Sequence, residues 1–195
     1  MDLFDVIDQR RSVRVFTSTS VPEHDLRRIL DAARKAPSSG NQQPWQFLVL
    51  RDRAVIDRLR DAALEQTMDL VREKLPLSPD EMAVRRTAIN TYLTGFLSAP
   101  VAVVILADRE AAYPDYLVHD GPLAAAHLML AARALGYGTV YGTDAVPEPA
   151  IREVLRIPER YALTCIIPLG VPESWPEGPA KKPLDEMIVW DGFSD

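Results

Sequence analysis

Residues 10–16, RRSVRVF, set Arg10, Arg11 and Arg14 around Ser12 in a chain whose net charge is −6. Converging guanidiniums repel by about 4 kcal/mol per pair at 4 Å and an effective dielectric near 20. The three must therefore splay into water or share an anion. Arg10 and Arg11 follow the helix-like stretch DLFDVIDQR, where C-terminal cations offset the helix dipole by about 0.3–1 kcal/mol each. That account leaves Arg14 and Ser12 unexplained, because both lie beyond the helix in extended chain. A guanidinium beside a hydroxyl is a phosphate-binding pair, and phosphate is the anion this stretch favours.

A second stretch, APSSGNQQPWQF at 36–47, presents Pro37, Ser38, Ser39, Asn41, Gln42 and Gln43 on a short loop between a helix and a strand. Proline-stiffened hydroxyls and amides form a pre-organised hydrogen-bonding surface. Amides both donate and accept, which suits the alternating edge of a heterocycle; the same residues also serve plain turn chemistry. LGYGTVYGTDA has the outline of a nucleotide loop in the wrong order, leaving a helix and entering a strand, whereas a dinucleotide fingerprint does the reverse. Its glycines instead let backbone amides approach a planar ligand at Tyr141, Gly142 and Thr143. Lys181 and Lys182, in the tail, are either solvated or a second cationic pair for a phosphate.

Nucleophile and metal chemistry find no support. The single cysteine, Cys165, lies inside the apolar run LTCIIPLG, where a buried thiol is inert. His24, His119 and His127 lack metal-ligand spacing, with His127 expected to be a core residue, and VHD (118–120) is too short to argue an acid–base pair. The negative net charge opposes nucleic acid and anionic membrane, and no apolar run approaches spanning length. The acidic start MDLFDVIDQRR carries no signal-like pattern, which gives a cytoplasmic expectation.

These residues need a scaffold. Asp2 caps a first helix bearing Leu3, Val6 and Ile7, and Ser20 with Glu23 is spaced as a capping box for a second helix that ends at Pro37. WQFLVL (45–50) is a strand, and residues 53–75 and 79–98 carry helical patterns. PVAVVILA (100–107) reads as a strand buried on both faces. GPLAAAHLMLAARALGYG is apolar all round, a helix buried in the core and ended by Gly136 or Gly138. TVYG and ALTCIIPLG (162–170) are further strands around the short helix PAIREVLR, and Met187–Trp190 is strand-like.

In order and spacing, RRSVRVF, APSSGNQQPW, LAARALGYGTVYG and KKPLDEMIVW resemble the nitroreductase family of FMN-dependent oxidoreductases, nearly end to end. The resemblance implies an α+β, nitroreductase-like three-layer fold with a mixed four- to five-stranded sheet flanked by helices. It implies one FMN-binding domain over 1–195, and a homodimer with two FMN at its interface and the C-terminal tail extending over the partner subunit. Arg10 and Ser12, with Arg11, would hold the phosphate, and Arg14 would lie toward the pyrimidine end of the ring. Pro37, Ser38 and Ser39 of the other chain would line the ribityl and ring edge near Asn41 and Gln43. Tyr141, Gly142 and Thr143 would offer backbone contacts near N5, and Lys181, with Lys182, would return to the phosphate. A further ring contact, from an asparagine or lysine after the first strand, is implied by the resemblance but takes no definite position in residues 60–95.

The implied chemistry belongs to the flavin, not to a catalytic side chain. NADH or NADPH gives hydride to N5, and a small electron-poor acceptor (nitroaromatic, quinone or activated alkene) then takes the electrons in a ping-pong cycle. Reductive dehalogenation and flavin fragmentation are the alternatives on the same fold, and a non-catalytic flavin-binding protein is the alternative of another class.

Overall fold

The structure is a computed structural model that describes residues 2–193. Its centre is the strand β2, Val101–Asp108, buried at every position but the last. Because side chains alternate across a strand, β2 feeds two cores. Val101, Val103 and Ile105 face one, and Ala102, Val104 and Leu106 the other. The first core is completed by helices α2 (Glu23–Ala33) and α5 (Leu117–Ala134), the second by α3 (Arg53–Lys74), α4 (Pro79–Phe96) and α6 (Glu148–Leu155). Helices on both faces of one sheet make the three layers that the sequence implies.

The sheet runs β1 (Trp45–Leu50), β2, β4 (Tyr161–Gly170), β3 (Gly138–Thr139). Trp45 pairs with Ala107 and Leu50 with Ala102, while Val101 pairs with Leu169 and Asp108 with Tyr161, across a register shift at Ile105/Leu106. Every strand pair is antiparallel, which corrects the expected mixed sheet. The continuous apolar run of β2 reflects two covered faces, not parallel neighbours. The parallel contact among the described residues is an isolated bridge between Ser12 and Thr139.

Three local expectations also change. Asp2 does cap α1 (Leu3–Gln9), in a reciprocal capping box with Asp5. The Ser20–Glu23 box does not form, because α2 begins at Glu23 behind Pro22. Met187–Trp190 is not a strand: a short 3₁₀ turn at Leu184–Glu186 precedes it and no ladder pairs with it. Finally, α5 buries Ala124, Ala125, Leu128 and Ala132 but leaves Leu123 40% exposed, so its apolar outer face lies at the surface with His127 only half-buried. Gly136, at φ +87°, ends that helix, in a left-handed conformation that favours glycine.

Candidate functional site

The arginine stretch begins where α1 stops. Arg10 caps that helix and donates its backbone N–H to the Val6 carbonyl. Ser12 then meets Thr139 at the end of β3, and the N–H of Val13 donates to the Thr139 carbonyl at 3.0 Å. Val13 and Phe16 are buried anchors, and the Phe16 N–H donates to Ser98 Oγ at 3.0 Å. Arg14 lies exposed between these anchors. The segment is therefore fastened by its apolar residues, and its polar side chains stay at least partly exposed.

Arg10, Arg11, Ser12 and Arg14 line a cavity of about 600 Å³ with Asp8, Glu177 and Lys181. Among the described residues, none of these four cations has a carboxylate within 4.0 Å, whereas most helix-surface arginines such as Arg27, Arg34 and Arg53 are paired. Arg11 is partly satisfied by the chain itself: its Nη1 donates to the carbonyls of Asp8 at 2.5 Å and Arg10 at 2.9 Å. The tail closes over it, since a Cβ at Gly178 would lie 2.7 Å from Arg11 Nε. Lys181 reaches this cavity, and Lys182 is exposed without lining it.

Arg14 also lines a second cavity, of about 410 Å³, with Tyr141, Gly142, Thr143 and, from α4, Tyr92 and Phe96. The Tyr92 and Phe96 rings stack at 6.0 Å. Gly142 is required here: its N–H and carbonyl both bond to Ile166, and a Cβ would come 2.6 Å from Phe96 Cζ and 2.9 Å from the Ile166 carbonyl. Burial pushes the Tyr141 phenol up to about 12. Cys165 beneath it is buried and likewise pushed up to about 12 by burial, so it is the inert thiol expected. A cationic cavity joined through one arginine to a glycine-cut recess suits a planar ring that carries a phosphate.

Pro37, Ser38, Ser39, Asn41 and Gln43 line neither cavity. Their loop is held by its own contacts. Gly40, Asn41 and Gln43 all adopt positive φ, and the Gln43 N–H donates to Ser38 Oγ at 2.9 Å. Non-glycine residues in this region are strained and persist where surroundings over-determine them. The loop is clamped by Asp120, Gln42 and Tyr113; the sequence presents Gln42 among the loop's hydrogen-bonding amides but singles out neither Asp120 nor Tyr113, although VHD includes Asp120. Tyr92 and Phe96 were equally hidden, because their helical spacing is that of ordinary core.

Comparison with known proteins gives the family and the fold. The family model described as "Nitroreductase family" matches residues 7–171. The chain is 34% identical over 173 residues to an Archaeoglobus fulgidus protein provisionally named NADH dehydrogenase/NAD(P)H nitroreductase, covering 86% of this chain and 84% of that one. It is 31% identical over 194 residues to the iodotyrosine deiodinase of Thermotoga neapolitana, covering 96% of each. The crystal structure of a BluB-like flavoprotein from Clostridium difficile 630 superposes with a TM-score of 0.83 at 26% identity, over 98% of this chain and all of that one. The chain belongs to the nitroreductase family and is an oxidoreductase of that fold.

Proposed function

We propose that this nitroreductase-family chain is a single FMN-binding domain, that it works in the cytoplasm as a homodimer, and that it uses NADH or NADPH to reduce small electron-poor acceptors. The observation that carries this is Arg14, shared between the cationic cavity of Arg10, Ser12 and Lys181 and the recess at Gly142. The first fits a phosphate, the second the flavin ring. Bound FMN supplies hydride acceptance and release at N5. The chain would supply the rest: Arg10 and Lys181 would neutralise the phosphate, Ser12 would donate a hydrogen bond to it, and Arg11 lies beside them. Arg14 would place positive charge at the pyrimidine end, and the backbone at Tyr141–Thr143 would face the ring.

The homodimer is supported by what one chain leaves unfinished. The Pro37–Gln43 loop, which the resemblance assigns to the ring of the other subunit, lines neither cavity here. Leu3, Phe4 and Ile7 on α1 and Leu123 on α5 expose apolar surface of the kind that a partner covers. Among the described residues no helix is long and apolar enough to cross a membrane.

Reductive dehalogenation is the second reading, favoured by the near end-to-end match to a deiodinase. The visible spectrum of the purified protein, followed by anaerobic NADH and NADPH, tests the proposal. Bound FMN bleached by either nucleotide supports the oxidoreductase. FMN bleached by neither leaves a binding module, and a colourless protein that takes up no FMN overturns the flavin site. Parallel assays with a nitroaromatic and with an iodinated phenol, the latter under dithionite, separate the two reactions.

A further inference from the structure

Asp120 is 1% exposed in the first turn of α5, yet among the described residues no cationic side chain lies within 4.0 Å of it. A buried carboxylate must be satisfied by donors, and here they all come from the loop at 38–43. Oδ1 accepts from the Ser39 N–H at 3.0 Å and from Ser39 Oγ at 3.3 Å. Oδ2 accepts from Gln42 Nε2 at 2.6 Å. That amide cannot turn over, because its Oε1 accepts from the Tyr113 N–H at 2.7 Å and its Nε2 donates to the Tyr113 carbonyl at 3.1 Å.

The mount of this carboxylate is rigid. A Cβ at Gly121 would lie 2.3 Å from Thr164 Oγ1 of β4, so the first turn of α5 is pressed against the sheet. On the other side the Tyr113 ring lies over Gly40, where a Cβ would lie 2.2 Å from it. Opening the loop would strip the carboxylate of these donors. The three left-handed residues are held in the conformation that supplies them.

We propose that Asp120 is the positioning residue of the flavin site. It touches neither cavity, and it references Ser38–Asn41 to the sheet so that the loop meets the ring and ribityl chain in one fixed geometry. This rests on the flavin reading above, and it makes a specific claim about which end of the ligand is affected. Because the loop is assigned to the ring and not to the phosphate, loosening it must weaken riboflavin and FMN equally.

Asp120→Asn puts an amide N–H against the fixed Gln42 amide, or turns its only acceptor away from Ser39. Gln42→Ala removes the same strut from the outside of the loop, without altering α5, and serves if the first variant does not fold. Apo-protein is titrated with FMN and with riboflavin, and amide exchange is followed over residues 38–43. The expected result is faster exchange of the Ser39 region, and affinity for both flavins lowered by about the same factor, on the order of tenfold. In the double variant the loss should be close to that of the worse single one. Wild-type affinity for both flavins in a folded variant whose loop exchanges faster overturns the role, and so does loss of FMN affinity alone. A wild-type protein that binds neither flavin overturns the flavin reading and this role with it.

Discussion

The Arg133 guanidinium lies over the Trp175 ring, 3.9 Å from its centroid, and the same arginine donates to Gln9 Oε1 at 2.7 Å. One side chain at the end of α5 therefore joins the last residue of α1 to the root of the C-terminal tail. Those are the two segments that bring Arg10 and Lys181 to one cavity. A cation–π contact of this kind stabilises by about 0.5–2 kcal/mol. Trp175→Ala should let the tail drift and withdraw Lys181 from the phosphate. FMN affinity is expected to fall several-fold while riboflavin affinity holds, as read by fluorescence titration. Equal loss for both flavins would mean that Trp175 supports the fold generally.

The proposed phosphate grip should give a larger effect. Arg10 and Ser12 face the cationic cavity, and a charge-assisted hydrogen bond contributes about 1.5–3 kcal/mol, or roughly 10- to 100-fold in affinity. Arg10→Ala or Ser12→Ala should therefore yield mostly apo-protein on purification. Arg11→Ala should be milder, since that guanidinium already serves the Asp8 and Arg10 carbonyls at the end of α1. Absorbance of bound flavin per subunit measures all three, and full occupancy in the first two would remove them from the site.

Arg14 separates binding from redox tuning. Its side chain lines both cavities, and a cation at the pyrimidine end favours the reduced, more negative ring. Arg14→Met should lower the flavin midpoint potential by tens of millivolts and weaken binding less than Arg10→Ala does. Spectroelectrochemistry checks this. An unchanged potential with weak binding would move Arg14 to the phosphate end.

Much of this layout is written in local pattern. WQFLVL and the run ending at Leu106–Ala107 are strands because branched and aromatic residues are bounded by proline, and β1, β2 and β4 fall where those runs lie. The cationic stretch is equally legible, since Arg10, Arg11, Ser12, Arg14 and Lys181 share a cavity. Direction of pairing was not legible: covered faces make an antiparallel strand as apolar as a parallel one. Asp120 was not legible either, because its donors Ser39 and Gln42 lie about eighty residues upstream. Met187–Trp190 is strand-like in sequence, yet among the described residues no ladder pairs with it.

Gly142 tests the recess. A methyl there would press on Phe96, 1% exposed, and on the Ile166 carbonyl. Overpacking of this kind costs about 1–3 kcal/mol, or roughly 2–12 °C in Tm for a chain of this size. Gly142→Ala should lower the melting temperature of the apo-protein by that amount and also weaken flavin binding, because the backbone at Tyr141–Thr143 must shift. Calorimetry of apo- and flavin-loaded protein separates the two effects. Unchanged melting would show that Phe96 has room to move.

The tail carries the strongest link between assembly and cofactor. Leu184, Met187, Val189, Trp190 and Phe193 are 66%, 59%, 49%, 79% and 91% exposed, with nothing among the described residues to cover them. Such residues fray unless they dock, and docking on a partner stabilises by about 25 cal/mol per Å² of apolar surface removed from water. The root of the tail is fixed at Trp175 and its middle lies over Arg11 at Gly178. Lys181 lies between that held segment and the exposed end, so docking of the residues beyond 183 would set where its ammonium sits. Deleting residues 184–195 should weaken the dimer and empty the FMN site together, although Lys181 and Lys182 remain in the chain. Sedimentation and flavin absorbance on one sample decide it. A truncated protein that stays dimeric and yellow would place the interface on α1 and α5 alone, with Leu3, Phe4, Ile7 and Leu123 as its apolar contacts.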